Sequence, residues 1–142
     1  MRRNMKNWFE EYVNAPVKKP LPILAFPSVS LMGITVRELI SNSELQSRGM
    51  KLVCDRVDSA AAVSYMDLSV EAECFGSKIR VSDNEVPTVI GSIVSCEEEA
   101  DALRIPPVGS GRTGLYLDSV KKALGLITDR PVFSGVIGPF SL

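Results

Sequence analysis

The sequence contains no histidine and only three cysteines. The first absence removes Ser-His-Asp and Cys-His nucleophilic chemistry from the residues of this chain. Cys54, Cys74 and Cys96 are odd in number and form no C-x-x-C pair. That argues against a disulfide framework and suits a reducing cytoplasm. A zinc site needs three or four ligands, and dispersed cysteines without histidine are a poor start. A basic field is also missing: 16 Lys and Arg face 17 Asp and Glu, a net charge of -1. Such a chain has little to hold a nucleic-acid backbone. The pairs Arg2-Arg3 and Lys18-Lys19 are too short to form a patch. No apolar run approaches the roughly 20 residues of a membrane span. The opening stretch MRRNMKNWFEEYVNAP lacks the apolar centre of a signal peptide. Nucleic acid and membrane are therefore not expected partners.

What is present reads as one domain. The chain has 142 residues, 45% of them apolar and 23% charged, ordinary for a globular protein. Met5, Trp8, Phe9 and Tyr12 recur at helical steps, so residues 4 to 14 are predicted to form a short amphipathic helix that packs on the body of the protein. Leu21 to Phe26 is an apolar run of strand length, and PSVSLMG after it reads as a loop. Thr35 with Glu38 is a capping-box pattern that starts a short helix. Ser43 with Gln46 repeats it, and the helical face through Leu45, Gly49, Leu52, Val53 and Val57 extends to about residue 58. Gly49 weakens a helix by about 1 kcal/mol relative to alanine, so it implies close packing on a neighbour.

Ala60 to Met66 is a second apolar run, separated from the first by a long helix. That is a βαβ pattern with parallel strands. Residues 77 to 94 read as a β excursion or hairpin. Ser95 and Glu98 form a further capping pattern. RIPPVGSGR is a Pro/Gly-rich loop whose G-S-G-R lacks a full phosphate-loop fingerprint. A second long helix follows over 113 to 127, with Tyr116, Val120, Ala123, Leu124 and Ile127 on one face. VFSGVIG is the third strand. Parallel strands are normally buried on both faces, and this last one has no covering helix after it. The pattern therefore predicts a fragment, or a chain that pairs with something.

The stretch SYMDLSVEAECFG sets Asp67, Glu71 and Glu73 just after the second strand. Glu71 and Glu73 would share a face on a strand but not on a helix. The order of elements, with MDLSVEAECFG after the second strand and GVIGPFSL after the third, resembles the N-terminal part of the uroporphyrinogen decarboxylase superfamily. It is closest to the branch of corrinoid-dependent methyltransferases that serve coenzyme M. The resemblance implies an α/β fold: about three β/α units of a (β/α)₈ barrel, with the β excursion after strand 2. Residues 1–19 would be a helical extension and residues 20–142 the partial barrel.

In such barrels the site lies at the C-terminal ends of the strands. The resemblance therefore implies Asp67 as the catalytic carboxylate, with Ser28, Glu71, Gly138, Pro139 and Phe140 binding substrate. Gly138 would permit a tight turn or close approach. It also implies a zinc ion in the whole enzyme, with ligands on later strands and none on this sequence, a corrinoid carried by a partner protein, and a small thiol substrate. These residues alone would be inert. Two alternatives stay open. One is a porphyrinogen decarboxylase, although Pro27 to Gly33 lacks the arginines that clamp carboxylates in that branch, and Arg37, Arg80 or Arg112 would have to replace them. The other is a non-catalytic α/β module that self-associates through its open sheet edge.

Overall fold

A computed structural model describes residues 3–138, residue 24 excepted. Helix α1 (Met5–Asn14) starts at Asn4, whose side chain accepts from the N–H groups of Lys6 and Asn7. Of its predicted packing face only Trp8 and Tyr12 make contact, while Met5 and Phe9 are 41% and 59% exposed. Trp8 stacks on Tyr12 and meets Phe133 edge-on, both at 5.5 Å between centroids.

The described residues of the first apolar run do not form a strand. Pro20 and Pro22 remove two backbone donors, which a ladder does not tolerate. Leu21 and Ile23 are 42% and 61% exposed. Ala60 N–H still donates to the Pro20 carbonyl at 2.8 Å. The expected loop after it is instead helix α2 (Ser28–Met32), closed by Gly33 at φ 66° in the left-handed conformation that glycine adopts most cheaply. Half-buried Val29 and Met32 pack on the core and give this turn its reason to form.

Helix α3 (Val36–Ile40) carries the predicted capping box of Thr35 and Glu38. Helix α4 (Ser43–Arg56) is capped one residue earlier than expected. Asn42 Oδ1 accepts from the N–H groups of Glu44 and Leu45, so Ser43 is released to donate to Asp118 at 2.6 Å. Gln46 turns into the interior rather than back to the cap. The chain then enters strand β1 (Ala62–Val63) and helix α5 (Ser69–Cys74). The β excursion is a hairpin of strands β2 (Lys78–Arg80) and β3 (Thr88–Ile90), antiparallel with Ile79 opposite Val89. Helix α6 (Glu97–Asp101) is short, and Ser95 bonds Glu99 rather than Glu98.

Helix α7 (Arg112–Leu126) leads into strand β4 (Val132–Phe133), which lies parallel to β1 with Ala62 opposite Val132. Among the described residues the parallel sheet thus has two strands, not three. Helix α7 packs chiefly on α4. Its buried positions are Ser119 and Ala123, while Leu124 is 57% exposed rather than on the packing face. Ser47 and Gly49 on α4 are likewise small and buried. The core gathers Leu39, Met50, Cys54, Tyr65, Ala123 and Ile127 between the helices and β1. Among the described residues, no helix is long and apolar enough to cross a membrane.

Candidate functional site

Parallel β1 and β4 end at the same side of the molecule, and a cavity of about 280 Å³ opens there. Met66, Val70, Phe75, Pro107, Val136 and Ile137 give it an apolar wall. Ser64, just past β1, anchors the opposite strand by accepting from Gly135 N–H at 2.8 Å. A β-carbon on Gly135 would collide with the Met66 sulfur, so this glycine permits the close approach that sequence reasoning assigned to Gly138. At Gly138 itself φ is not positive, and among the described residues a β-carbon would meet nothing within 4 Å. Pro139 and Phe140 lie outside the described residues.

Asp67 sits where the sequence puts it, on the cavity wall beyond β1, with a side chain that is 0% exposed. Its carboxylate is fully engaged. Oδ1 accepts from Ser69 N–H at 3.0 Å and Ser69 Oγ at 2.5 Å. Oδ2 accepts from the Arg112 guanidinium at 2.6 Å and the Tyr116 hydroxyl at 2.9 Å. A carboxylate offers about four acceptor positions, and all are used. Asp67 therefore has no acceptor position left for a ligand in this arrangement.

Arg112 is the centre of the network. It also donates to Glu73 at 2.5 Å and to Ser69 Oγ at 2.8 Å. Burial works against its charge, but the bonds to Glu73 and Asp67 outweigh that and hold its pKa above the usual value. The sequence offers Arg112 only as a substrate clamp of the decarboxylase alternative and does not point to Tyr116 as a site residue; the structure turns Arg112 onto Asp67, Ser69 and Glu73 instead. Gly109 and Gly111 have φ of 84° and 54°, and this turn delivers Arg112 to the start of α7. The glycines shape a turn for an arginine that points inward at carboxylates.

Glu71 and Glu73 are on helix α5, so they diverge. Glu73 leaves the cavity for Arg112, while Glu71 lines it. Glu71 Oε1 receives one long bond, 3.3 Å, from Ile137 N–H. Cys74 also lines the cavity, its thiol donating to the Ser110 carbonyl at 2.9 Å. Ser28 does not reach the cavity. It is wholly buried behind Tyr65, with 2.7 Å between the two hydroxyl oxygens.

Burial pushes the Tyr65 phenol up to about 12, partly offset by its bond to Ser28. Burial, followed by the charge of Asp67, raises Tyr116 as well. Each phenol ionises in the unfolded chain near pH 10 and resists ionising in the folded one. Above pH 10 the folded state therefore holds more protons than the unfolded state. The contribution of Tyr65 to stability is intact below about pH 10 and is lost as pH rises through about 12. Urea titrations at stepped alkaline pH are expected to show midpoints falling across that window. Tyr65→Phe should flatten the fall, and an unchanged midpoint through pH 12 would contradict the burial.

Among the described residues no group of three His, Cys, Asp or Glu side chains could hold a metal ion. The residues present thus do not fit the zinc that the resemblance implies.

A family model for uroporphyrinogen decarboxylase (URO-D) matches residues 28–142. The methylcobamide:CoM methyltransferase MtbA of Methanosarcina acetivorans is 33% identical over 82 residues, 54% of this chain and 23% of that protein. A solved methyltransferase from Methanosarcina mazei superposes with a TM-score of 0.77 at 20% identity, over 99% of this chain and 44% of that one. The chain thus spans less than half the length of either relative.

Proposed function

Because the chain belongs to the uroporphyrinogen decarboxylase family, we propose that it forms part of the active-site wall of a methyltransferase that moves a methyl group between a methylcobamide and a thiol of the coenzyme M type. The observation that carries this reading is the charge of the cavity. Asp67 and Glu71 line it, and no lysine or arginine does so among the described residues. A decarboxylase must hold the carboxylates of a tetrapyrrole, which calls for arginine forks. None of the three candidates is available. Arg37 binds Asp83 and the Val81 carbonyl, Arg112 is enclosed by its three partners, and Arg80 lies on β2 away from the cavity. The similarity to MtbA favours the same branch.

In this reading the chain's own residues bind and orient. The apolar wall excludes water from the reacting groups. Arg112 and Asp67 hold Tyr116 in one position, so Asp67 is a positioning residue and not the catalytic one. Thiol activation by zinc would lie with residues other than these. The corrinoid arrives on a partner protein.

Equilibrium dialysis against methylcobalamin and against uroporphyrin tests the choice. Saturable retention of methylcobalamin without retention of the porphyrin is expected. The opposite pattern would overturn the methyltransferase reading. With methylcobalamin and 2-mercaptoethanesulfonate together, these 142 residues are expected to form no thioether. Turnover would show that thiol activation does reside in them.

A further inference from the structure

We infer that Glu71 sets the ligand preference of this cavity, accepting a hydrogen bond from an uncharged amide N–H of the corrinoid periphery and turning away the sulfonate of the thiol. The inference rests on the methyltransferase reading and adds which substrate the cavity meets. Three observations carry it. The first is electrostatic. Asp67 is balanced by Arg112, which leaves Glu71 as the carboxylate facing the cavity, and no lysine or arginine lines it among the described residues, so an anion entering it would meet like charge inside an apolar wall. A sulfonate is a permanent anion, whereas a cobamide presents acetamide and propionamide arms that are neutral donors.

The second observation is availability. Of the two carboxylates, Asp67 has used its acceptor positions on Ser69, Arg112 and Tyr116. Glu71 accepts one bond, at 3.3 Å from Ile137 N–H, and its second oxygen has no partner among the described residues. An ionised carboxylate accepts strongly, and one at an apolar wall gains most from a donor supplied by a ligand. The third is size. About 280 Å³ admits one amide arm and the ring edge beside it, not a whole macrocycle. The cavity would thus grip the edge of a corrinoid whose cobalt lies outside it.

Calorimetric titration of the chain and two variants, each with methylcobalamin and with 2-mercaptoethanesulfonate, tests this. Glu71→Gln keeps the shape and the bond from Ile137 but loses the charge, so methylcobalamin is expected to bind about tenfold more weakly, the size of a charge-assisted bond made neutral. Glu71→Lys is expected to lose methylcobalamin and gain the sulfonate. A merely structural role would weaken methylcobalamin and lower the melting temperature with no gain of the sulfonate, whereas a role in selection moves the two probes oppositely at constant melting temperature. Methylcobalamin binding that ignores both substitutions, or sulfonate binding by the parent chain, would overturn the assignment to Glu71 alone. Failure of the parent chain to bind methylcobalamin at all would overturn the methyltransferase reading with it.

Discussion

Arg112→Ala is expected to cost about 3–5 kcal/mol of stability, the usual loss when one partner of a buried ion pair is removed. The reason is the group left behind. The Asp67 side chain is fully enclosed, and Arg112 is itself only 13% exposed. Without the guanidinium, Asp67 keeps Ser69 and Tyr116 but has no countercharge in a place water does not reach. Glu73 loses its partner too, yet it is 38% exposed and can be solvated, so most of the cost comes from Asp67. Arg112→Lys is expected to recover only part, because an ammonium cannot reproduce a fork that spans Asp67, Ser69 and Glu73. Removing Asp67 as well should return some of the loss, since contacting residues couple by about 0.5–3 kcal/mol. Urea denaturation of the single and double alanine variants measures all of this. A loss under about 1 kcal/mol for Arg112→Ala would mean that the network does not hold this end of the molecule together.

Gly49→Ala carries the second large effect, and here the sign is informative. Alanine in place of glycine within a helix ordinarily stabilises by about 1 kcal/mol. At Gly49 a β-carbon would lie 2.5 Å from Ser28 Oγ and would collide with the Tyr65 hydroxyl. Ser28 and Tyr65 are wholly or nearly wholly buried and bonded to each other, so neither side chain has space to yield without breaking that bond. Overpacking of this kind costs about 1–3 kcal/mol, which outweighs the gain in propensity. A net loss of about 2 kcal/mol is expected, read as a lower urea midpoint at unchanged slope. In a Tyr65→Phe background the clash with the hydroxyl is gone, and the same substitution should cost less. Stabilisation by Gly49→Ala in the parent chain would refute the packing.

These two sites mark how far the sequence can be read. The glycine in α4 was legible as a place of close packing, because a glycine inside a good helix needs a reason. Its partners were not, since Ser28 stands in a stretch that reads as a loop and Tyr65 in one that reads as a strand. The capping box at Thr35, the long helices and the hairpin were legible because caps and periodicity act within a few residues. The first strand was misread because its apolar character hid the effect of Pro20 and Pro22 on the ladder. Asp67 follows β1 as the order of the chain requires, but that its acceptor positions are used up was not legible, because the groups that consume it lie far along the chain. Arg112 is 45 positions away and Tyr116 is 49.

The amino-acid order by itself determined the family, the helices, the acidic stretch after β1 and the absence of histidine chemistry, all of which rest on residue identity or on neighbours within a few positions. Only the tertiary structure decided that Asp67 is consumed by Arg112 and Tyr116, that Glu71 faces the cavity while Glu73 leaves it, and that Ser28 is buried behind Tyr65. Hydrogen-bond capacity is shared among groups that meet in space, and sequence spacing carries no record of which of them arrive first.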